Sequence, residues 1–263
     1  MPSSSKISSM FEVPGSKLKN NNPGSTNLVH GTRNLEPGTA EPNSEPGTRN
    51  PSSWGLYVVT DRHQTKGRVL EAVVDAALQG GARAIQLREK DLSARALFEL
   101  AQRLLPLVHS RGATLLVNDR VDLTLTLPLD GVHLARTSLP PAEARALLGP
   151  KRLIGVSCHT AEEAIEAQEG GADFVVLGPL FLTQSKAAYG LPVGLERLRD
   201  VRRQVRLPIL GIGGITASNA GEVIAAGADG VAAISAVMAA DDPAEAVRTL
   251  LHVTRAALPM RPT

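Results

Sequence analysis

Eight short apolar runs, each followed by an amphipathic stretch, restrict this chain more than any other feature. In order they are LYVVTD (Leu56–Asp61), AIQLRE (Ala84–Glu89), TLLVND (Thr114–Asp119), GVHLA (Gly131–Ala135), LIGVSC (Leu153–Cys158), FVVLGP (Phe174–Pro179), PILGIG (Pro208–Gly213) and GVAAIS (Gly230–Ser235). Each is rich in Leu or β-branched residues and bounded by glycine or polar residues, as a buried strand is. Between them apolar residues recur three and four apart, as in Ala94–Leu107, Ala161–Gln168 and Ala244–Leu258, which predicts helices with one face on a core. Gly80-Gly81-Ala82, Gly170-Gly171-Ala172 and Ala226-Gly227-Ala228 each precede an apolar run, where a left-handed glycine can turn a helix into the next strand. Eight alternating units of this kind predict an α/β fold, a (β/α)8 TIM barrel. An open doubly wound sheet is the alternative, but its dinucleotide fingerprint is missing after the first run, where the chain reads TDRHQTKG.

Composition agrees with buried parallel strands. Hydrophobic residues make up 43% of the 263 and aromatics only 3%, so the expected core is Val, Ile, Leu and Ala. Residues 1–53 are different material, rich in Ser, Asn, Pro and Gly, with GTRN and EPGT each occurring twice. They hold too little apolar surface to offset the entropy of ordering, so a disordered extension is expected, with the barrel at 54–263. A net charge of +2 without a basic block argues against nucleic acid. No apolar run is long enough to span a membrane, and no apolar signal core opens the chain, so a cytoplasmic location is expected. The single cysteine, Cys158, excludes an intrachain disulfide and is expected to pack as a small apolar residue. A homo-oligomer is left open.

In such barrels the chemistry sits at the carboxyl ends of the strands. Those ends offer Gln86, Arg88 and Lys90; Asn118, Asp119 and Arg120; Ser157 and His159; Thr183, Gln184, Ser185 and Lys186; Gly213 and Gly214; and Ile234 and Ser235. Arg88 and Lys90 alternate along an extended strand, so both can point to one side and, with Lys186, meet a pyrophosphate. The plain reading is a rim salt-bridge network of Arg88 with Glu89. Gly214 would let a phosphate approach the backbone and Ser235 would add a hydroxyl donor, although such glycines also serve simple tight turns. Asp119 can hold Mg²⁺ by one carboxylate while substrate phosphates complete the shell, or it can cap the next helix. His133 and His159 are acid or base candidates, or satisfied structural residues.

The motifs QLREK (Gln86–Lys90), VND (Val117–Asp119), GVSCHT (Gly155–Thr160), GPLFLTQSK (Gly178–Lys186), GIGGIT (Gly211–Thr216) and GADGVAAIS (Gly227–Ser235), in this order, resemble the thiamine phosphate synthase family from about Leu56 to Leu258. The resemblance implies a pyrophosphate-releasing transferase with two small-molecule substrates, hydroxymethylpyrimidine pyrophosphate and hydroxyethylthiazole phosphate. It implies C–O cleavage first, and capture of the pyrimidine carbocation by the thiazole nitrogen. Gln86, Arg88, Lys90, Asn118, Ser157 and Lys186 then correspond to pyrimidine pyrophosphate contacts, with Arg88, Lys90 and Lys186 as the catalytic cations. Asp119 corresponds to a magnesium ligand, and Thr183, Ser185, Gly214, Ile234 and Ser235 to the thiazole phosphate pocket. The chain departs from the family after the fourth run. There the family reads like GQED, whose Asp is the second magnesium ligand, whereas this chain has Ala135-Arg136-Thr137-Ser138. Ser138 is a poorer ligand for a hard dication, and Arg136 is a candidate to meet the pyrophosphate instead. The altered loop leaves two other readings: a thiazole tautomerase-like isomerase with His159 as base, and a non-catalytic phosphate-binding relative.

Overall fold

The computed structural model describes residues 50–182 and 192–258. The strands β1 (Leu56–Val59), β2 (Ala84–Leu87), β3 (Thr114–Asn118), β4 (Gly131–Leu134), β5 (Leu153–Cys158), β6 (Phe174–Leu177), β7 (Ile209–Ile212) and β8 (Gly230–Ala233) pair in parallel and in chain order. Pairing of Leu56 with Val231 and of Val58 with Ala233 joins β8 to β1, so the sheet is the closed barrel expected. Around it run α1 (Leu70–Gln79), α2 (Ala94–Ser110), α3 (Val121–Thr126), α4 (Pro141–Leu148), α5 (Ala161–Glu169), α6 (Gly194–Gln204), α7 (Ala220–Ala225), α8 (Ser235–Met238) and α9 (Pro243–Ala257). The expected glycine joints are present: Gly81, Gly171 and Gly227 have φ of 103°, 81° and 108°.

Strand and helix ends differ in places from the sequence expectation, for local reasons. Seven strands end before their apolar-looking runs do; β2, for example, stops at Leu87 rather than Glu89. Glu89, left over beyond β2, turns its side chain off the ladder to the Thr60 hydroxyl. Helix α2 continues to Ser110, three residues past the expected Leu107 and through Pro106. Proline removes one helical hydrogen bond, but Pro106 lies on the solvent side. Leu100, Leu104, Leu105 and Val108 are buried on the other side, and that packing carries the helix past the break.

Side chains of a barrel strand alternate between the interior and the helices. Val58, Ile85, Leu87, Leu115 and Val117 join one aliphatic cluster with the helices. Tyr57, Ala84, Leu116, Phe174 and Ala232, on the opposite parity, form a second cluster inside the barrel. The expectation of a core free of aromatics is corrected here. Trp54, Tyr57 and Phe174, each at most 1% exposed, pack at centroid distances of 5.2–5.6 Å and fill the interior. Trp54 precedes the first apolar run and reaches the interior because the 3-10 turn Pro51–Ser53 leads the chain into β1. No helix among the described residues is long and apolar enough to cross a membrane.

Candidate active site at the carboxyl ends of the strands

Above the aromatic floor the inward parity turns polar. Gln86 is 3% exposed, and its Nε2 donates to the Tyr57 hydroxyl at 3.1 Å. One inward step further, Arg88 is half-buried beyond the end of β2. Burial lowers its pKa, while the charges of Asp61 and Glu89 act in the opposite direction. Its own charge in turn helps depress the pKa of His133, after burial. A partly desolvated cation in a barrel mouth is matched by an anion. Among the described residues Glu89 pairs with Arg62 and Arg88 is in no ion pair, which separates the two side chains that the rim-network reading had joined. Lys90 lies exposed in the turn that follows.

Asn118 closes β3 and pairs in register with His133 of β4. Asp119 follows with φ of 66°, one of two non-glycine residues with positive φ among those described, and its amide donates to the His133 carbonyl at 2.8 Å. A left-handed Asp costs about 1 kcal/mol, and such outliers cluster at functional sites. The capping reading of Asp119 is corrected: Arg120 occupies the N-cap of α3, which has no side-chain cap bond. The Asp119 carboxylate stands exposed at the rim.

His133 is part of the interior wall. It is 2% exposed, its ring lies 5.8 Å from Tyr57 and 5.9 Å from Phe174, and its Nε2 is 2.9 Å from Ser157 Oγ. Burial, and then Arg88, push its pKa down to about 3, so it is neutral near pH 7 and a weak base. Gly155 makes room for it, since a Cβ there would stand 2.7 Å from His133 Nδ1 and 2.3 Å from Phe174 Cζ. His159 has another use: its amide (2.7 Å) and Nδ1 (3.2 Å) both meet Glu163 Oε2 at the start of α5. Cys158 packs as expected, 1% exposed, with burial pushing its thiol up to about 12.

After β4, Ser138 turns back on its own loop. Its Oγ accepts from the Ala135 amide at 2.7 Å, and its amide donates to the Ala135 carbonyl at 3.0 Å. Arg136 is largely exposed, with Nε 3.7 Å from Glu163 Oε1. After β7, Gly214 has φ of 67°, and a Cβ there would meet Phe181 Cβ at 2.9 Å and the Leu182 carbonyl oxygen at 3.1 Å. The need for glycine is therefore explained by the passing β6 loop. Asn219 braces the same turn, accepting from the Thr216 amide at 2.8 Å and donating to the Gly214 carbonyl at 2.9 Å. Ile234 is the N-cap of α8 and Ser235 its first residue. Thr183, Gln184, Ser185 and Lys186 lie outside the described residues.

No group of three or more His, Cys, Asp or Glu side chains that could hold a metal occurs among the described residues. That donor set offers no all-protein cage. The exposed Asp119 carboxylate at the rim is one hard oxygen donor of the type Mg²⁺ accepts.

Sequence reasoning missed Thr60, Asp61 and Tyr57. Thr60 and Asp61 stood at the end of the first run, and their position alone was the available signal. Nothing marked Tyr57 except its inward parity.

The family model described as thiamine monophosphate synthase matches residues 56–237. A thiamine-phosphate synthase of Roseiflexus sp. is 50% identical over 212 residues, covering 80% of this chain and 90% of that protein. One from Moorella thermoacetica is 50% identical over 204 residues, covering 77% and 97%. The solved structure of a thiamine phosphate pyrophosphorylase from Pyrococcus furiosus superposes with a TM-score of 0.72 at 38% identity, covering 80% of this chain and 99% of that one. The closed barrel, its polar carboxyl end and these matches lead to one conclusion: the chain belongs to the thiamine monophosphate synthase family.

Proposed function

We propose that this chain is a thiamine-phosphate synthase, a transferase joining 4-amino-2-methyl-5-hydroxymethylpyrimidine pyrophosphate to hydroxyethylthiazole phosphate. The C–O bond of the pyrimidine methylene breaks with its electron pair leaving on pyrophosphate. The thiazole nitrogen donates its lone pair to the methylene carbon, giving thiamine phosphate. The observation that carries this reading is a half-buried Arg88 in the mouth of a barrel whose relatives bear that activity in their names.

The chemistry needs positive charge on the leaving group and little water around the cation. Arg88 and Lys90 supply charge from the end of β2, and Lys186 from the loop after β6. Gln86, Asn118 and Ser157 orient the pyrimidine pyrophosphate against the interior wall. Thr183, Ser185, Gly214, Ile234 and Ser235 form the thiazole phosphate pocket. Mg²⁺, held through Asp119, adds charge on the pyrophosphate when bound. Arg136 takes part of the role that a carboxylate at position 138 would have had. A cytoplasmic location belongs to the same reading. The tautomerase alternative needs a base; burial weakens His133 in that role, and His159 is bound to Glu163.

The test is to incubate the purified chain with both substrates and Mg²⁺ and to quantify thiamine phosphate and pyrophosphate. Equimolar products that vanish in Lys186→Ala are expected. Binding of both substrates without turnover would instead identify a non-catalytic relative.

A further inference from the structure

Among the outward-facing residues near the end of β2, position 89 breaks the pattern. Ile85 and Leu87 are buried in the aliphatic layer, but the next outward residue is Glu89, whose side chain is 1% exposed. A carboxylate buried there gains nothing from the apolar layer and must be fully hydrogen-bonded. It is, and by the segments that flank Arg88. Glu89 Oε1 accepts from the Thr60 hydroxyl at 2.7 Å, and Oε2 accepts from the Arg62 amide at 3.1 Å and from Arg62 Nη1 at 3.2 Å.

The fully buried Thr60 joins this carboxylate to the backbone of the site. Its amide donates to the Gln86 carbonyl at 2.9 Å, and its hydroxyl oxygen accepts from the Arg88 amide at 2.9 Å. A hydroxyl has one proton, and here it goes to Glu89, so the relay has a fixed direction: Arg88 N–H to Thr60 O–H to Glu89 carboxylate. Arg62 continues it to Asp91 at 2.7 Å, and His63 meets the same carboxylate at 3.0 Å. Both loops beside Arg88 are thus fastened to each other beneath its backbone.

We propose that Glu89, acting through Thr60, is a positioning residue for substrate pyrophosphate: it fixes the Arg88 backbone where the ordered strand ends, so that the guanidinium is held in the barrel mouth. This rests on the reading of Arg88 as a pyrophosphate contact.

The test measures, on the full chain, KM for each substrate and the Kd of inorganic pyrophosphate with Mg²⁺. Thr60→Val keeps the shape and removes the relay, while Thr60→Ser keeps the hydroxyl. Thr60→Val is expected to weaken pyrophosphate and raise the KM for pyrimidine pyrophosphate about tenfold, because misplacing a binding group by a fraction of an ångström is enough. The KM for thiazole phosphate should stay unchanged, and Thr60→Ser should restore the wild-type values. If Thr60→Val does not fold, Glu89→Asp, which keeps the charge but withdraws it from Thr60, is expected to show the same one-substrate pattern. Wild-type pyrophosphate binding in the folded variant, or equal loss toward both substrates, would overturn the proposal. Arg88→Met separates it from the reading beneath it. If Arg88→Met leaves pyrophosphate binding intact, the assignment of Arg88 fails; if it weakens binding while the relay variants do not, positioning alone fails.

Discussion

The two faces of the same eight strands are built for different tasks. On the outward face Val58, Ile85, Leu115, Val117 and Val132 meet helices in a continuous aliphatic layer, where nearly any well-packed apolar residue of the right volume would serve. On the inward face Trp54, Tyr57 and Phe174 close one end, and Gln86, Arg88, Asn118, His133 and Ser157 line the other. Both faces are covered, so the contrast is one of chemistry rather than of burial. The outward face holds the barrel together by area; the inward face spends its positions on specific polar groups and keeps only a small apolar floor beneath them. Within the ordered strands stability and activity should therefore separate by parity; Thr60 and Glu89 lie beyond the ends of β1 and β2.

The largest expected effect is on activity alone. Arg88→Met should lower kcat/KM about 10²–10³-fold, as loss of one preorganised charge contact does, with little change in unfolding free energy by denaturant titration. A loss of stability as large as the loss of activity would break the separation. Leu115→Ala tests the opposite face of the neighbouring strand: it should cost about 2–5 kcal/mol in the same titration, with kcat/KM near wild type while the protein is folded. Gly155→Ala falls on both sides of the comparison, because its methyl would push into Phe174 and His133. Overpacking of about 1–3 kcal/mol should appear together with a raised KM for pyrimidine pyrophosphate, through displacement of Ser157's partner.

The effect expected to be smallest near neutral pH is a pH dependence. His133 has a folded pKa near 3, below its unfolded value of about 6.5, so the unfolded chain binds the extra proton first as pH falls. Its contribution to stability is complete above about pH 6.5 and declines toward pH 3, at up to about 1.4 kcal/mol per pH unit. His133→Gln should flatten that part of the stability curve; an unchanged slope would mean that His133 is not buried neutral.

The alternation of eight runs and the glycine joints made the barrel legible, because strand and helix periods are local properties of the chain. The positions of Arg88, Asn118, Asp119 and Ser157 followed from the rule that strand ends carry the chemistry. Other features depended on contacts between distant segments. Trp54 lies outside every apolar run, and only closure of the barrel places it against Phe174. Glu89 looked like a surface partner for its neighbour Arg88, and only the return of β1 beside β2 brings Thr60 and Arg62 onto it. Ser138 stood where a metal ligand was expected, and its bond to Ala135 shows a residue serving its own turn.

The central claim is that the polar end of the inward face is where pyrophosphate binds, and the most direct measurement is a crystal structure with inorganic pyrophosphate and Mg²⁺. The account predicts pyrophosphate oxygens at about 2.7–3.2 Å from the Arg88 guanidinium, with Asp119 facing the ion beside them. Pyrophosphate seated instead in the groove of about 530 Å³ lined by Arg83, Arg248 and Arg255, before β2 and along α9, would contradict it.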